Sequence, residues 1–410
     1  MFGKEISPDQ ATYIPSAKSG KPILIVPDKD ADGLTSGAIL QRTLHLLGVP
    51  PELISIHHLS QKGSSIHNDT ERALMAANNP FYIFILDQGS RHGPPVIDAP
   101  HKALIIDHHF ANAGDFPEGA EYINASHCPP VVTASLLTYL LCGPLHPDVK
   151  EKTDWLCCMG THGDLGPLKW RPPFPDMSPT LRKYGRSNVN DAVSLLNAPR
   201  RTAGFNVADA YAALEKAKEP KDVLKDVKLL KARAEVNAEV ERCSHAPPKF
   251  SFDGRVSVQR ISSEAQVHPV IATKWAGFLK SSKLELVMCA NEGYLPDMVN
   301  FSCRVARDAR ARETPPNIIE LLKEYAATVP GLMERMGESF ARGHKEASGG
   351  VVPKEAFEEL MLAMRIGEKP EKAEGEKKGK KDQPVQKNTL AGWVVKPKAE
   401  AKVKAEEKVA

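Results

Sequence analysis

Three short apolar runs dominate the first part of the chain, and each of them ends close to an aspartate. The runs are ILIV at 23–26, FYIFIL at 81–86 and ALII at 103–106. Short runs without polar alternation, separated by helical periodicity such as that of 34–47, are typical of strands buried on both faces. We therefore predict an α/β fold with a mostly parallel sheet.

Acidic residues are concentrated where these strands end. The first run leads into DKDADG, which holds Asp28, Asp30 and Asp32, and the next two runs lead to Asp87 and Asp107. Because ligands bind beyond the carboxyl ends of parallel strands, these side chains are expected to meet at one edge of the sheet. The two-residue repeat of a strand would also aim Asp30 and Asp32 the same way.

Two interpretations fit an aspartate at a strand end. A single one is commonly a turn residue or a helix N-cap, and Asp32 followed by Gly33 is a good turn pair. A turn does not explain the whole set, because carboxylates this close repel each other unless cations hold them together. Oxygen ligands joined by an imidazole suit Mn²⁺ or Mg²⁺, so the set indicates a site for such ions.

The second half of the chain predicts a connector and a smaller α/β domain. Residues 219–242 are charged and periodic, which predicts a long exposed helix with Val223, Val227, Leu230 and Ala234 on one face. Strand-like and helical stretches then alternate up to residue 366, and a Lys/Glu-rich tail predicted to be disordered follows. The predicted divisions are an N-terminal extension at 1–20, a first α/β domain at 21–205, a helical connector at 206–247, a smaller α/β domain at 248–366 and the tail at 367–410.

Charge and composition narrow the class of protein. The net charge is +3, but the tail from Gly367 holds 12 Lys and 8 Asp and Glu, so the remainder carries −1. The body is therefore not a broadly basic nucleic-acid binder, and polyanions would need a local patch, metal ions or the tail. The scattered 7 cysteines and the lack of a long apolar run predict an intracellular protein, cytoplasmic or nuclear, without a membrane span.

Four motifs in a fixed order resemble those of the DHH phosphoesterase superfamily. They are DADG, then Asp87, then IIDHHF with Asp107, His108 and His109, then GTHGDLG with Asp164. LLNAPRR at 195–201 is similar to a segment of RecJ-type exonucleases. RGHKEASGG at 342–350 and FSCR, which ends at residue 304, resemble the DHHA1 domain that follows the catalytic domain in this family. The resemblance covers about residues 20–365 and implies a DHH domain joined by a helical connector to a DHHA1 domain.

The resemblance implies a role for each matching residue. Two ions, Mn²⁺ or Mg²⁺, would share Asp87 and activate a water as the nucleophile. His109 would face the phosphate or leaving group, and Asp107 would orient the histidines. The remaining metal ligands would be Asp30, Asp32, His108 and Asp164. The substrate phosphate would be held by Arg304 and His344, with close approach at Gly343 and Gly349, and Arg201 is a further candidate.

One position departs from the family pattern. The first motif of the family normally has a histidine where this chain has Val26. The first ion is then short of a ligand, which Asp28 or a water would supply. A further difference is Arg342, which stands where the family has the first of two glycines.

The resemblance implies a metal-dependent phosphodiesterase that degrades single-stranded DNA or RNA from an end. One alternative keeps the metals and changes the substrate to very short oligonucleotides, cyclic dinucleotides or nucleoside bisphosphates. Another is a non-catalytic DHH-fold scaffold in DNA replication or repair, of which Val26 would be a first sign. An apolar cluster around Trp393 in the tail also resembles a short docking motif for a protein partner.

Overall fold

The protein is described from a computed structural model over residues 19–130, 132–166 and 174–368. Most of the predicted N-terminal extension, and the tail with Trp393, lie outside the described residues. The division into domains at about 205 and 247 stays a prediction. No helix in the described ranges is long and apolar enough to cross a membrane.

The first half of the described chain is built around a sheet of five strands whose neighbours are all parallel. The predicted α/β fold with a mostly parallel sheet is confirmed. The strand order is β2-β1-β3-β4-β5. The strands are β1 (Ile23–Pro27), β2 (Ile54–Ile56), β3 (Tyr82–Leu86), β4 (Lys102–Asp107) and β5 (Glu121–Asn124).

Helices connect these strands and continue after the last of them. Those between the strands are α1 (Ala31–Leu46) and α2 (Asp69–Ala76). Those after β5 are α3 (Ala134–Cys142), α4 (Val149–Leu165), α5 (Ser178–Tyr184), α6 (Arg186–Leu196), α7 (Val207–Lys216), α8 (Pro220–Val223) and α9 (Val227–Cys243). Single 3₁₀ turns lie at Pro51–Leu53 and Pro199–Arg201.

Alternate residues of β1 enter different hydrophobic clusters on the two faces of the sheet. Ile23 and Ile25 pack with residues of α1, α3 and α4, whereas Leu24 and Val26 pack with Met75 of α2 and with neighbouring strands. Both faces are therefore covered, which explains why the run is apolar at every position. The order also reverses direction between β1 and β3, since β2 lies on the other side of β1. Ligands of open α/β sheets bind at such a point.

A second sheet of six strands forms the other half of the described chain, in the order β10-β11-β9-β8-β7-β6. Only the β7–β8 pair is parallel among these described strands. The strands are β6 (Lys249–Phe250), β7 (Val256–Ile261), β8 (Leu286–Asn291), β9 (Met298–Val305), β10 (Arg342–His344) and β11 (Ala347–Pro353). The accompanying helices are α10 (His268–Phe278), α11 (Arg307–Arg310), α12 (Ile318–Ala327), α13 (Leu332–Met336) and α14 (Lys354–Ala363).

The predicted helix over 219–242 is divided in the structure, and the four apolar residues predicted to share one face do not belong to one helix. Asp226 caps a new helix by accepting hydrogen bonds from Lys228 N and Leu229 N, so Val223 belongs to the separate helix α8. Val227 is 77% exposed, and the side chains that α9 buries are those of Leu229, Val236, Val240 and Cys243. The interruption resets the helical phase, which a single period drawn through the whole segment misses.

A glycine allows three helices of the first half to approach closely. A Cβ added at Gly160 in α4 would lie 2.3 Å from Ser135 Oγ in α3 and 2.4 Å from Thr35 Oγ1 in α1. We expect Gly160→Ala to lower the free energy of unfolding by about 1–3 kcal/mol, because the packed helices must move apart. Gly277 in α10 is the matched control, because a Cβ there meets nothing within 4 Å.

Urea denaturation of both variants measures the effect. Gly277→Ala should leave stability unchanged or raise it by up to about 1 kcal/mol, as alanine is the better helix former. Equal effects of the two substitutions would contradict the account of the close approach.

Candidate metal centre

The DKDADG segment turns directly from β1 into α1. Asp28 follows the end of β1, and its N–H donates to Leu86 O at 2.9 Å. Asp30 is the N-cap of α1, where its Oδ1 accepts from Asp32 N at 3.1 Å and from Gly33 N at 3.3 Å. The expectation that Asp30 and Asp32 share a strand face is therefore wrong, because the strand has already ended.

The glycine of this motif is required by the tight turn. A Cβ at Gly33 would lie 2.6 Å from Asp28 N and 2.7 Å from Asp28 O, both of them backbone atoms. The first turn of α1 thus packs closely against the backbone of Asp28. This contact keeps the Asp28 carboxylate near the end of β3. Asp30 is therefore a helix N-cap, and it also belongs to a cluster of carboxylates with Asp28 and Asp87.

Asp32 lies in the first turn of α1 and is fully buried. Its carboxylate contacts the N-terminus of α3. Its Oδ2 accepts from Ala134 N at 2.7 Å and its Oδ1 from Ser135 N at 2.9 Å. Free N–H groups at a helix N-terminus favour an anion, so α3 fixes the carboxylate. Burial, with a further contribution from the Asp164 charge, nevertheless raises the pKa of Asp32 to about 7.

Asp87 and His108 approach each other in the interior without a hydrogen bond. Asp87 Oδ1 lies 3.2 Å from His108 Nε2, and Asp164 Oδ2 lies at the same distance of 3.2 Å from that nitrogen. Both Asp87 Oδ1 and His108 Nε2 are buried without a hydrogen-bond partner among the described residues. Burial and the neighbouring charges of Asp32 and Asp30 raise the pKa of Asp87 well above its usual range.

Three overlapping groups of side chains could hold metal ions. In each group one ligand atom from every residue lies within 4.8 Å of the others. The groups are Asp28 with Asp30 and Asp87, then Asp32 with His108 and Asp164, then Asp87 with His108 and His109. A cation fits this donor set, because it would pair the two orphaned buried atoms and relieve the repulsion among carboxylates.

Asp107 positions His108 and His109 by contacts with their backbone N–H groups and with the His109 ring. Its Oδ1 accepts from His108 N at 2.7 Å and lies 2.8 Å from His109 Nδ1, while Ser90 N donates to its Oδ2 at 3.3 Å. Desolvation opposes protonation of the His109 ring, but the hydrogen bond with Asp107 raises the pKa of His109 to about 9. Nδ1 therefore carries a proton directed at Asp107, and Nε2 makes no hydrogen bond to the described residues.

Position 26 contributes no ligand. The Val26 side chain is fully buried in the apolar cluster beside Leu24 and Ile85, and its carbonyl accepts from Gln88 Nε2 at 3.2 Å. Asp28, by contrast, belongs to the oxygen-only group with Asp30 and Asp87. That Asp28 replaces the missing histidine as a metal ligand stays a prediction. Asp28 lies close enough to Asp30 and Asp87 to share an ion with them.

Several arginines lie next to the three candidate metal-binding groups, which together form the acidic cluster. Arg200 Nη2 lies 4.0 Å from Asp30 Oδ2, and Arg200 Nη1 donates to Gln266 Oε1 in the second half of the chain at 3.1 Å. The neighbouring Arg201 has a buried Nε without a hydrogen-bond partner among the described residues. Burial, with the charges of Arg200 and Arg304, lowers the pKa of Arg201 to about 9. Unpaired buried guanidinium atoms surrounded by further cations favour an anionic ligand.

The other predicted substrate residues lie along adjacent strands of the second sheet. Ala347 of β11 pairs with His344 of β10 on one side and with Arg304 of β9 on the other. Arg304 Nη1 donates to Ser302 Oγ at 2.8 Å. A Cβ at Gly343 would lie 2.6 Å from Ala347 O, and one at Gly349 would lie 2.5 Å from Phe301 O. The strands themselves therefore require these glycines, whether or not a phosphate approaches them.

Several contributors to the site were not predicted. The N–H groups of Ala134 and Ser135 hold Asp32, and only Thr133, a good N-cap residue, marks that helix start in the sequence. His268, at the start of α10, is buried, and its Nδ1 has no hydrogen-bond partner in the part of the chain that the structure describes. Burial and the nearby Arg304 lower its pKa to about 3. No local pattern singles out His268, because it approaches the arginines only through the fold.

The pKa shifts predict that the metal-free protein loses stability as the pH rises. Folding raises the pKa of Asp32 from 3.8 to about 7, so the folded state binds the extra proton and stability falls across this window. Folding also raises the pKa of His109 from 6.5 to about 9, and the stability that its charge contributes is lost between these values. With a chelator present, we expect a lower unfolding midpoint at about pH 8.5 than at about pH 7, a window in which the lowered pKa values of His58 and His268 contribute little pH dependence.

Mn²⁺ should reverse this trend, because its ligands bind in their deprotonated forms. The rise in unfolding midpoint on adding Mn²⁺ should be larger at the higher pH, and an Asp32→Asn variant should show a smaller pH dependence in chelator. A protein that Mn²⁺ stabilises at neither pH would contradict the metal centre and favour the non-catalytic alternative.

Comparison with known proteins identifies the domain that carries this cluster. Residues 22–161 match the model of the DHH family, N-terminal domain. No curated protein matches the chain in sequence. The matched range includes all of the proposed metal ligands except Asp164, which follows it on the last turn of α4.

Solved structures with the same fold include RecJ proteins. The chain resembles RecJ from Thermus thermophilus in complex with Mn²⁺, with 19% identity and a TM-score of 0.60 over 86% of this chain and 53% of that one. It therefore spans about half the length of that relative. An exonuclease RecJ bound to manganese is 18% identical, with a TM-score of 0.57 over 86% of this chain and 92% of that one.

A third similar structure is the DHH domain of a protein assigned to a family of ribosomal proteins. It is 13% identical, with a TM-score of 0.61 over 88% of this chain and 90% of that one. These three structures share their fold with most of the described chain, and not only with residues 22–161. Residues 22–161 thus match the DHH family, N-terminal domain, and most of the described chain shares its fold with solved RecJ structures.

Proposed function

We propose that this chain is a metal-dependent phosphodiesterase that hydrolyses single-stranded nucleic acid from an end. The observation that carries the proposal is the buried pair of Asp87 Oδ1 and His108 Nε2, which lie 3.2 Å apart without hydrogen-bond partners among the described residues. Buried polar atoms without a hydrogen bond cost stability, and a bound cation would compensate both of them. The likeness to an exonuclease RecJ bound to manganese supports the same activity.

Two ions are proposed, held by separate groups of ligands. One would bind Asp28, Asp30 and Asp87, and the other Asp32, His108 and Asp164, with Asp87 close to both. Bound ions of this kind supply a water of lowered pKa and neutralise charge on the phosphoryl oxygens. The oxygen-only group suits Mg²⁺ or Mn²⁺, and the imidazole in the other group favours Mn²⁺.

His109 is proposed as the general acid. Its Nδ1 is held 2.8 Å from Asp107 Oδ1, and its raised pKa keeps the ring protonated near neutral pH. The free Nε2 can then donate a proton to the leaving oxygen, after which Asp107 steadies the neutral ring in one tautomer. Asp107 is accordingly a positioning residue rather than one that touches the substrate.

Arg304 and His344, with Arg201, are proposed to bind substrate phosphate. The proposal is supported by the Nε of Arg201, which has no hydrogen-bond partner among the described residues, and by the pKa of Arg201, which burial and the nearby Arg304 charge lower. Ala347 pairs with His344 on one side and with Arg304 on the other, so both residues lie on strands that flank β11. The second sheet would in this proposal be a DHHA1 domain. Gly343 and Gly349 would then give backbone access as well as strand packing.

The test is hydrolysis of end-labelled single strands by the purified chain in the presence of Mn²⁺. We expect mononucleotides to be released progressively from one end by the wild type and not by Asp87→Asn. Asparagine is the better replacement than alanine, because Asp87 has a φ of 63°, a conformation that asparagine tolerates. Release no faster than that of the variant would contradict the proposal.

A shorter substrate is the second candidate. Outside the tail the chain carries a net charge of −1, and a long polyanion gains little from such a surface. Very short oligonucleotides, cyclic dinucleotides or nucleoside bisphosphates need only a few cations such as Arg200, Arg201 and Arg304. Turnover of a two-nucleotide substrate compared with a thirty-nucleotide strand separates the candidates, and a strong preference for the former would favour the second.

A further inference from the structure

The residue that follows the proposed general acid in the chain has an exposed aromatic ring. Phe110 follows His109 in the chain, and its side chain is 71% exposed, whereas the apolar side chains of the preceding strand β4 are buried. A singly exposed apolar residue needs no explanation by itself. The contacts around Phe110, however, indicate a function for this exposed ring.

The backbone is held on both sides of Phe110 by side chains from a later segment. Asn124 Nδ2 donates to His109 O at 2.9 Å, before the phenylalanine. After it, His127 Nε2 donates to Ala111 O at 2.8 Å. These hydrogen bonds fix the exposed residue in one place, which reduces the conformational entropy that binding would otherwise cost.

The ring itself has one partner within the described part of the protein. The His127 ring meets the Phe110 ring edge to face, with centroids 5.1 Å apart and an interplanar angle of 63°. Such a contact orients an aromatic ring. Most of the ring remains exposed, so Phe110 is both oriented and accessible.

We propose that Phe110 stacks on the nucleobase of the nucleotide whose phosphate lies at the acidic cluster. The inference rests on the proposed function and names the part of the substrate that the metal ligands do not contact. Adjacent Cα atoms are about 3.8 Å apart, so a phosphate near the His109 ring leaves its attached base within reach of the next residue. Every base offers a π-face, so this contact would bind single strands with little sequence preference.

Binding of two strands of equal length tests the proposal without requiring hydrolysis. One is a labelled thymidine strand of about ten nucleotides, and the other is an abasic strand with the same phosphates. Fluorescence anisotropy is measured with Mn²⁺ in the Asp87→Asn background, with and without Phe110→Ala. We expect Phe110→Ala to weaken binding of the thymidine strand about 5- to 100-fold and binding of the abasic strand less than about 2-fold.

Two further variants keep the result interpretable. Phe110→Trp should retain the affinity for thymidine. Phe250→Ala removes a 41% exposed ring on β6, at the opposite edge of the second sheet from β10, and should change neither affinity. Thermal unfolding should be the same for Phe110→Ala and its parent.

Equal losses on both strands, unchanged binding of both, or no binding of thymidine by the parent would each overturn the stacking role. Unchanged binding of both strands would leave Phe110 as a contact for another protein instead. If the wild type hydrolyses the thymidine strand no faster than Asp87→Asn while the expected difference in affinity is found, the proposed activity is contradicted and the stacking role is supported.

Discussion

Asp87→Asn is expected to abolish metal-dependent hydrolysis and, at the same time, to stabilise the metal-free protein. Hydrolysis should fall by about 10³-fold or more, because several kcal/mol of charge stabilisation at the phosphoryl group depend on the ions that Asp87 would hold. The free energy of unfolding in chelator should rise by about 1–4 kcal/mol, since folding no longer has to bury or protonate a carboxylate among other carboxylates. Initial rates with Mn²⁺ and urea denaturation in chelator measure the two effects.

Opposite signs for function and stability are what distinguish a ligand from a structural residue. Asp148→Asn is a suitable control, because Asp148 is half exposed and its carboxylate forms a surface ion pair with Lys152 at 3.1 Å. It should change neither quantity by much. If Asp87→Asn instead destabilised the metal-free protein, Asp87 would be a structural residue and the metal account would lose its principal support.

Arg201→Ala is expected to have the next largest effect, on the substrate side of the site. The value of kcat/KM should fall about 10- to 150-fold, the worth of one charge-assisted hydrogen bond to phosphate. Stability should not fall, because the Arg201 guanidinium is buried beside other cations and its Nε has no hydrogen-bond partner among the described residues. Steady-state kinetics on a labelled strand and thermal unfolding measure the two quantities.

Arg335→Ala provides the comparison for this arginine. Arg335 is about half exposed and bonds to Glu359 on a helix of the second half, so its loss should cost at most about 1 kcal/mol of stability and leave kcat/KM unchanged. A marked loss of stability in Arg201→Ala with an unchanged kcat/KM would show that Arg201 serves the packing of the two halves instead of a ligand.

The parallel sheet and the meeting of its acidic strand ends could be predicted from sequence for a simple physical reason. Strands buried on both faces are apolar at every position, so ILIV and FYIFIL stand out against their surroundings. The carboxyl ends of parallel strands share one edge, so Asp28, Asp87 and Asp107 had to converge. Local sequence therefore carried most of the information on the fold and on these residues of the cluster.

Features that depend on contacts between distant segments could not be predicted in this way. The strand repeat gave the wrong orientation for Asp32, which lies in a helix and is fixed by the N–H groups of Ala134 and Ser135, about 100 residues later. The single helix predicted over 219–242 was likewise wrong, because the N-cap at Asp226 begins a separate helix. His268 carries no local signal, since its relation to Arg304 exists only after folding.

Metal rescue of a sulfur-substituted substrate tests the central claim most directly. A single strand with one phosphorothioate at the scissile position replaces a non-bridging oxygen by sulfur, which Mg²⁺ binds poorly and the softer Mn²⁺ accepts. We predict that one diastereomer is hydrolysed slowly in Mg²⁺ and that Mn²⁺ restores its rate towards that of the all-oxygen strand. An equal sulfur effect in both metals, or hydrolysis that continues in chelator, would contradict a metal-centred phosphodiesterase.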